Sequence, residues 1–182
     1  MVAMGLGRVG QPDVIFKRKF RWTLDIVTRC GVVVSRSFVK VAGRPKINVD
    51  SVEINYLNAV TWITGKAKWE PINITYYDVA GANSVGLLSW LASVYDFTSP
   101  VLLPMSERAG YAGTGTLTMY DGCGSALEVW QLNNMFPESI DFGDVDYESG
   151  DICTIELSCR YDSVAYASLC GGGVPRGCCV GC

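Results

Sequence analysis

Apolar and polar residues alternate one for one along the segment Asp151–Tyr161. Cys153, Ile155, Leu157, Cys159 and Tyr161 fall on one side, and Thr154, Glu156, Ser158 and Arg160 on the other. Successive side chains of a β-strand point to opposite faces, so a period of two specifies a strand with one face buried. The same period recurs in Phe20, Trp22, Leu24 and Ile26, in Val52, Ile54 and Tyr56, and in Ile72, Ile74 and Tyr76. Ser37–Ala42 reads as a short strand stopped by Gly43 and Pro45. Thr114–Tyr120 and Leu127–Asn133 read as two more, with Asp121-Gly122 and Gly124 supplying the turn between them. Pro137–Tyr147 and Asp151–Tyr161 form the last expected pair, joined through Glu148-Ser149-Gly150. The strands around Val52–Tyr56 and Ile72–Tyr77 predict a long hairpin with its tip near Asn58–Lys68. That tip carries Trp62 and Ile63, which is apolar for a solvated turn and marks a surface for a partner. One stretch is helical by its spacing: Ser84 is placed to cap it, and Leu87, Leu88, Leu91, Val94 and Tyr95 share a face.

The pattern therefore predicts a mainly β chain, an antiparallel β-sandwich or barrel with one flanking α-helix. At 182 residues there is enough chain for one domain with a sizeable core. The Gly-rich residues 1–15 read as an N-terminal arm, residues 16–166 as the β domain, and residues 167–182 as a Gly/Cys-rich C-terminal arm. Only 18% of the residues are charged and the net charge is −3, so the chain has no strong positive field with which to grip nucleic acid. No run of 18 apolar residues occurs, so no membrane span or anchor is expected. The first ten residues lack the apolar core and cleavage site of a signal peptide, which predicts synthesis in a cytoplasm.

Eight cysteines in such a chain admit two readings: late oxidation after release or assembly, or buried thiols acting as small apolar residues. Four of them, Cys170, Cys178, Cys179 and Cys182, lie in the last thirteen residues among glycines, on a segment that cannot bury them in a core of its own. Cys153 and Cys159 are six residues apart on one strand, roughly 20 Å at 3.3 Å per residue. They cannot pair with each other and read as buried thiols.

The chain has no histidine, which removes Ser-His-Asp and Cys-His nucleophile systems and mixed Cys/His zinc sites. A four-cysteine zinc site in the tail lacks the usual two-pair spacing. Cys179-Val-Gly-Cys182 matches a redox motif in letters, without the helix N-terminus that lowers the thiol pKa. Gly5-x-Gly7-x-x-Gly10 has neither a preceding strand nor a following helix, and Asp141-Phe142-Gly143 has no other kinase motif beside it. Asp141, Asp144 and Asp146 fit no calcium loop. The sequon Asn73-Ile-Thr75 falls inside an expected strand. No catalytic residue, metal or cofactor is implied.

The order of elements resembles the tail tube protein of contractile-tailed bacteriophages, a group that includes the inner tubes of related injection machines. The resemblance runs over about residues 16–165. It rests on Phe20-Arg-Trp-Thr-Leu-Asp25, on Thr116-Leu-Thr-Met-Tyr-Asp121, and above all on Val129-Trp-Gln-Leu-Asn-Asn-Met-Phe-Pro137 ahead of the closing strand pair. In the last of these, Trp130, Leu132, Asn133, Phe136 and Pro137 match the family's run. The resemblance implies a structural virion protein made in the host cytoplasm, with no enzymatic activity. Six copies would close into a ring, pooling strands into an inter-subunit β-barrel, and rings would stack into the tail tube. Its implied partners are further copies of itself, the sheath protein, the tape measure protein, and the baseplate and tail terminator proteins. DNA would pass through the bore without specific binding.

The Gly/Cys tail departs from the family pattern. On the tube reading, Cys170, Cys178, Cys179 and Cys182 are expected to form at least one inter-subunit disulfide, with Cys30 and Cys123, both near turns, as candidate partners. Trp62, Ile63, Lys66 and Lys68 are the candidate inter-subunit contacts. Other readings stand beside this one. The nearest is the inner tube of a bacterial secretion or tailocin machine. The others are a thiol oxidoreductase using Cys179 and Cys182, and a disulfide-rich adhesin.

Overall fold

The computed structural model describes residues 17–28, 31–34, 36–80, 83–96, 101–102, 108–148 and 150–168. In chain order the elements are β1 (Trp22–Thr28), β2 (Gly31–Val34), β3 (Val39–Ala42), β4 (Ile47–Tyr56), β5 (Ala59–Trp69), β6 (Ile72–Tyr77), α1 (Asn83–Ala92), β7 (Tyr95–Asp96), β8 (Val101–Leu102), β9 (Gly113–Tyr120), β10 (Ala126–Asp141), β11 (Thr154–Arg160) and β12 (Ser163–Ser168). The expected class holds: among the described residues the chain is mainly β, its pairings are antiparallel, and one α-helix flanks them.

The body is one sheet path, β2-β1-β9-β10-β11-β6-β3, with β12 also paired to β10. Inward side chains of β1, β9 and the first half of β10 (Leu24, Ile26, Leu117, Leu132) meet those of β6 and β11 (Ile72, Ile74, Tyr76, Ile155, Leu157, Cys159) in a single core. The period-two reading of β11 is accurate: Ile155, Leu157, Cys159 and Tyr161 are buried. Cys153, assigned to the same face, is a correction. It precedes the first residue of β11 and is exposed, its carbonyl accepting the Asp78 N–H at 2.9 Å.

β10 joins the two halves of the body. Leu127–Asn133 and Pro137–Tyr147, expected as separate strands, share this one strand of 16 residues, which ends at Asp141. Its first half pairs with β9 and β12, and its second half with β11. The pairing with β9 breaks register between Leu132 and Met135, where Asn134 takes a left-handed φ of 55°. Across this corner the Asp162 N–H donates to the Asn133 carbonyl at 3.1 Å. Asn134 Nδ2 donates to Asp162 Oδ2 at 3.0 Å, and Arg108 Nη2 to Asp162 Oδ1 at 2.6 Å. The Arg108 hydrogen bond holds the Asp162 carboxyl below the usual aspartate range. Phe136 packs edge-on to Tyr111 with ring centroids 6.0 Å apart. The run Trp130–Pro137 that carries the family resemblance is thus the bend between the two halves.

Gly113 opens β9 opposite Thr28 of β1. A Cβ there would meet the Val27 carbonyl oxygen at 2.9 Å, so the approach of the two backbones requires glycine. The helix is shorter than its apolar spacing suggests: it ends at Ala92, and Val94 and Tyr95 lie beyond it. Leu87 and Trp90 are its buried residues, and Trp90 Nε1 donates to the Tyr111 carbonyl at 2.8 Å. Leu88, expected on the buried face, is exposed. The proposed cap of Ser84 rests on a side chain outside the described residues. β12, absent from the sequence reading, extends to Ser168, two residues past the expected boundary of the β domain.

Candidate functional site

Among the described residues no group of three or more Asp, Glu, Cys or His is placed to hold a metal ion. Asp141 Oδ1 instead accepts the Gly143 N–H at 2.9 Å, and Asp146 Oδ1 the Glu148 N–H at 3.0 Å, local turns that use the carboxylates to cap the backbone. Cys159 is buried; desolvation pushes its thiol pKa up, with the charge of Glu138 adding to it, so it stays protonated and unreactive. Tyr76 is raised by the same two kinds of cause, burial first and then Cys159. Among the described residues no helix is long and apolar enough to cross a membrane.

The feature that asks for a partner is the hairpin of β4 and β5. Among the described residues it pairs only with itself, as a separate two-stranded sheet, and all but one of its strand residues are exposed. This corrects the expected pairing. β4 pairs with Ala59–Trp69, and β6 instead lies between β11 and β3. The tip is Leu57-Asn58, with Leu57 at φ 51° and 89% exposed. Trp62, Ile63, Lys66 and Lys68 therefore lie along β5. Gly65 and Lys66 face Asp50 in a bulge, where a Cβ on Gly65 would come within 3.1 Å of the Asp50 carbonyl oxygen.

Register shows why this hairpin is unusual. Val52 lies opposite Ile63, Ile54 opposite Thr61 and Tyr56 opposite Ala59, so one face carries an apolar row. The other face carries Trp62, which is 62% exposed, opposite Glu53, and Val60 opposite Asn55. A strand pair packed on a body buries one face and wets the other. Here both faces present large apolar groups to solvent, and Lys68 reaches Asp50 at 3.3 Å near the root. An isolated two-stranded hairpin is marginal in water, and an exposed apolar surface of this kind marks a site for interaction.

At the opposite end of β10 from its second-half partner β11, Glu128 is 1% exposed and faces inward. Lys17 Nζ donates to its Oε2, and Arg44 Nη2 to its Oε1 at 2.6 Å. Tyr166 Oη approaches Oε2 at 3.4 Å. Burial pushes this carboxyl up, but the Lys17 hydrogen bond and the charges of Arg44 and Lys17 outweigh it, so its pKa lies below the usual glutamate value. Glu128 thus ties the chain leading into β1 and the connection after β3 to β10. The sequence reading gives Leu127–Asn133 as a strand without assigning Glu128 to a face, and the cations that meet it, Lys17 and Arg44, are distant along the chain.

Cys123 lies exposed in the β9–β10 turn, where Asp121 Oδ1 accepts the N–H groups of Cys123 and Ser125, each at 2.8 Å. Cys30, Cys170, Cys178, Cys179 and Cys182 lie outside the described residues.

No family model and no curated protein sequence matches this chain. Its fold is nevertheless that of several solved structures. The tube-terminating cap of the anti-feeding prophage aligns with TM-score 0.67 at 15% identity, over 91% of this chain and 99% of that chain. The sheath/tube terminator of PVC, an extracellular contractile injection system, aligns with TM-score 0.67 at 16% identity over 86% and 99%. A chain of the PVC sheath–tube complex in its extended state aligns with TM-score 0.65 at 16% identity over 92% and 100%. The protein has the tube-protein fold of contractile injection systems.

Proposed function

We propose that this chain is a structural subunit of the inner tube of a contractile injection machine, without enzymatic activity, and that it works as a polymer of itself. The observation that carries the proposal is the β4–β5 hairpin, a two-faced apolar blade that no described residue of its own chain covers. The likeness over nearly the full length of tube-terminating and sheath–tube components supports the same reading. Trp62, Ile63 and the neighbouring lysines Lys66 and Lys68 are the contacts by which the hairpin meets the next subunit. Sheet edges left open in one copy would be paired or covered when a ring closes, and stacked rings give an open filament through head-to-tail contacts.

In its finer form the proposal is a bacteriophage tail tube. Hexameric rings would stack inside a contractile sheath, enclose the tape measure protein and end at baseplate and terminator proteins. The tube would be made in the host cytoplasm and carried on the virion. A net charge of −3 suits a bore through which DNA passes without being held. Residues 1–15 and the residues after Ser168 would act as arms beyond the β domain. Disulfides among Cys170, Cys178, Cys179, Cys182, Cys30 and Cys123 tie subunits together once the particle leaves a reducing compartment, Cys123 being exposed for such a bond. A second reading, the tube of an injection machine that carries no genome, is favoured by the likeness to PVC and anti-feeding prophage components.

Electron microscopy of the concentrated, purified protein tests the core of the proposal. Annuli or cylinders are expected, and compact single particles under both reducing and oxidising conditions would overturn it. Nuclease-protected DNA in native particles separates the two finer readings. A ladder of cross-linked species on non-reducing gels is expected of the disulfide staple, and monomer alone would reject it.

A further inference from the structure

Two surfaces away from the hairpin have complementary character. The first is a cleft between the start of β1, β3 and β9. Its floor is Trp22, Val41, Leu117 and Met119, and its rim is Lys17, Lys19, Lys40 and Arg44. Glu128 neutralises Lys17 and Arg44 from beneath. Lys19 and Lys40 enter no ion pair among the described residues, although Lys40 lies over the Tyr77 ring at 5.6 Å. The cleft thus keeps an apolar floor and two cations with no carboxylate to meet.

The second surface is the connection from β10 to β11. There Asp144-Val145-Asp146-Tyr147-Glu148 alternates carboxylates with large apolar side chains. Val145 is 89% exposed and Tyr147 109%, so neither packs on its own body. Asp144, Asp146 and Glu148 form no ion pair among the described residues. The groove beside this connection is lined by residues 143–146 and 151–154 and shares no residue with the basic cleft.

We infer that the acidic β10–β11 connection of one copy docks in the basic cleft of a second copy, Val145 and Tyr147 covering the apolar floor while Asp144, Asp146 and Glu148 pair with Lys19 and Lys40 at the rim. The occupant follows from matching on both counts: carboxylates where the cleft has unspent cations, and projecting apolar groups where it has an open apolar floor. An aromatic anchor in a desolvated pocket supplies affinity, and the ring of opposite charges supplies register and choice of partner. Because the two surfaces are different patches of the same chain, the contact is head-to-tail and repeats from copy to copy, as a polymer requires. This inference rests on the tube reading and adds which surfaces meet.

Charge exchange tests it on the full-length chain. Lys19→Glu with Lys40→Glu, and separately Asp144→Lys with Asp146→Lys, are made and checked by circular dichroism for a native β spectrum. Each variant alone is expected to raise the concentration needed for assembly by about tenfold or more, a change equal to about 1.4 kcal/mol per contact. An equimolar mixture of the two, or all four changes on one chain, is expected to recover assembly, since opposite charges again face each other. Assembly of each variant at the wild-type concentration, or no recovery in either combination, overturns the docking while leaving the tube reading intact. A wild-type protein that never polymerises removes the tube reading, and this contact with it.

Discussion

β11 and the β4–β5 hairpin are written in the same alphabet. Each alternates Ile, Leu, Val or an aromatic with polar residues, and each folds as a strand. On β11 the apolar side chains vanish into a core shared with β6 and β10; on the hairpin they stand in water on both faces. Periodicity thus determines that a segment is extended, while what covers it depends on neighbours. In β11 the neighbours belong to the same molecule. For the hairpin the described residues supply none, and on the proposed tube reading the difference marks the line between what stabilises the subunit and what builds the assembly.

Substitutions can break or sharpen that contrast. The largest loss of monomer stability is expected from Leu157→Ala, which opens a cavity among fully buried side chains. Urea denaturation should record a loss of about 2–5 kcal/mol. Gly113→Ala comes next, because its Cβ would press on the backbone carbonyl of Val27, which cannot move aside as a side-chain end would. A cost of about 1–3 kcal/mol is expected by the same measurement, and an unchanged midpoint would show that β1 and β9 have room to part.

Glu128→Gln leaves Lys17 and Arg44 without their carboxylate, for an expected loss of about 1–2 kcal/mol, moderated because both cations are half-exposed. Its pH signature is specific. The folded-state pKa of Glu128 is depressed, so its contribution is complete above the ordinary glutamate value of about 4.3 and is lost as pH falls below it through the folded value. Glu128→Gln should therefore flatten the acid limb of the stability profile; an unaltered limb would mean the ion pairs contribute nothing.

The smallest change in the monomer is expected from Ile54→Ser with Trp62→Ser on the hairpin, within about 0.5 kcal/mol each, since neither packs on the body. The same pair should abolish tube formation seen by sedimentation. Loss of monomer stability comparable to Leu157→Ala would erase the distinction between the two regions.

The legible parts of the fold were those where one rule acts alone. β11, β9 and the Asp121–Gly124 turn were readable from alternation and turn chemistry. The sequence reading leaves a gap between strands at residues 134–136, where β10 bends, and the structure carries the strand on through Pro137. The proline is tolerated because beyond Met135 the strand has lost β9 and keeps β11 on one side only, so a residue lacking an N–H interrupts no full ladder. The sequence reading places the hairpin tip at Asn58–Lys68, whereas the residues from Ala59 onward, Gly65 among them, belong to β5. A bulge opposite Asp50 absorbs the glycine, and the true turn uses Leu57, a residue that seldom takes a positive φ. Trp62 and Ile63 were recognised as a surface for a partner from their misplaced hydrophobicity. The basic cleft was not, since Lys19, Lys40 and Met119 are far apart along the chain and only the sheet brings them together.

One consequence of the bent β10 concerns load. A single backbone of 16 residues serves both halves of the body, so these cannot slide past each other as independent plates. A thrust delivered to one half passes through covalent bonds into the other, and the strain gathers where the strand turns. There the bonds of Asp162 to Asn133, Asn134 and Arg108 act as the gusset of the frame. A subunit built in this way is stiff along the path of the strand and gives first at its joint.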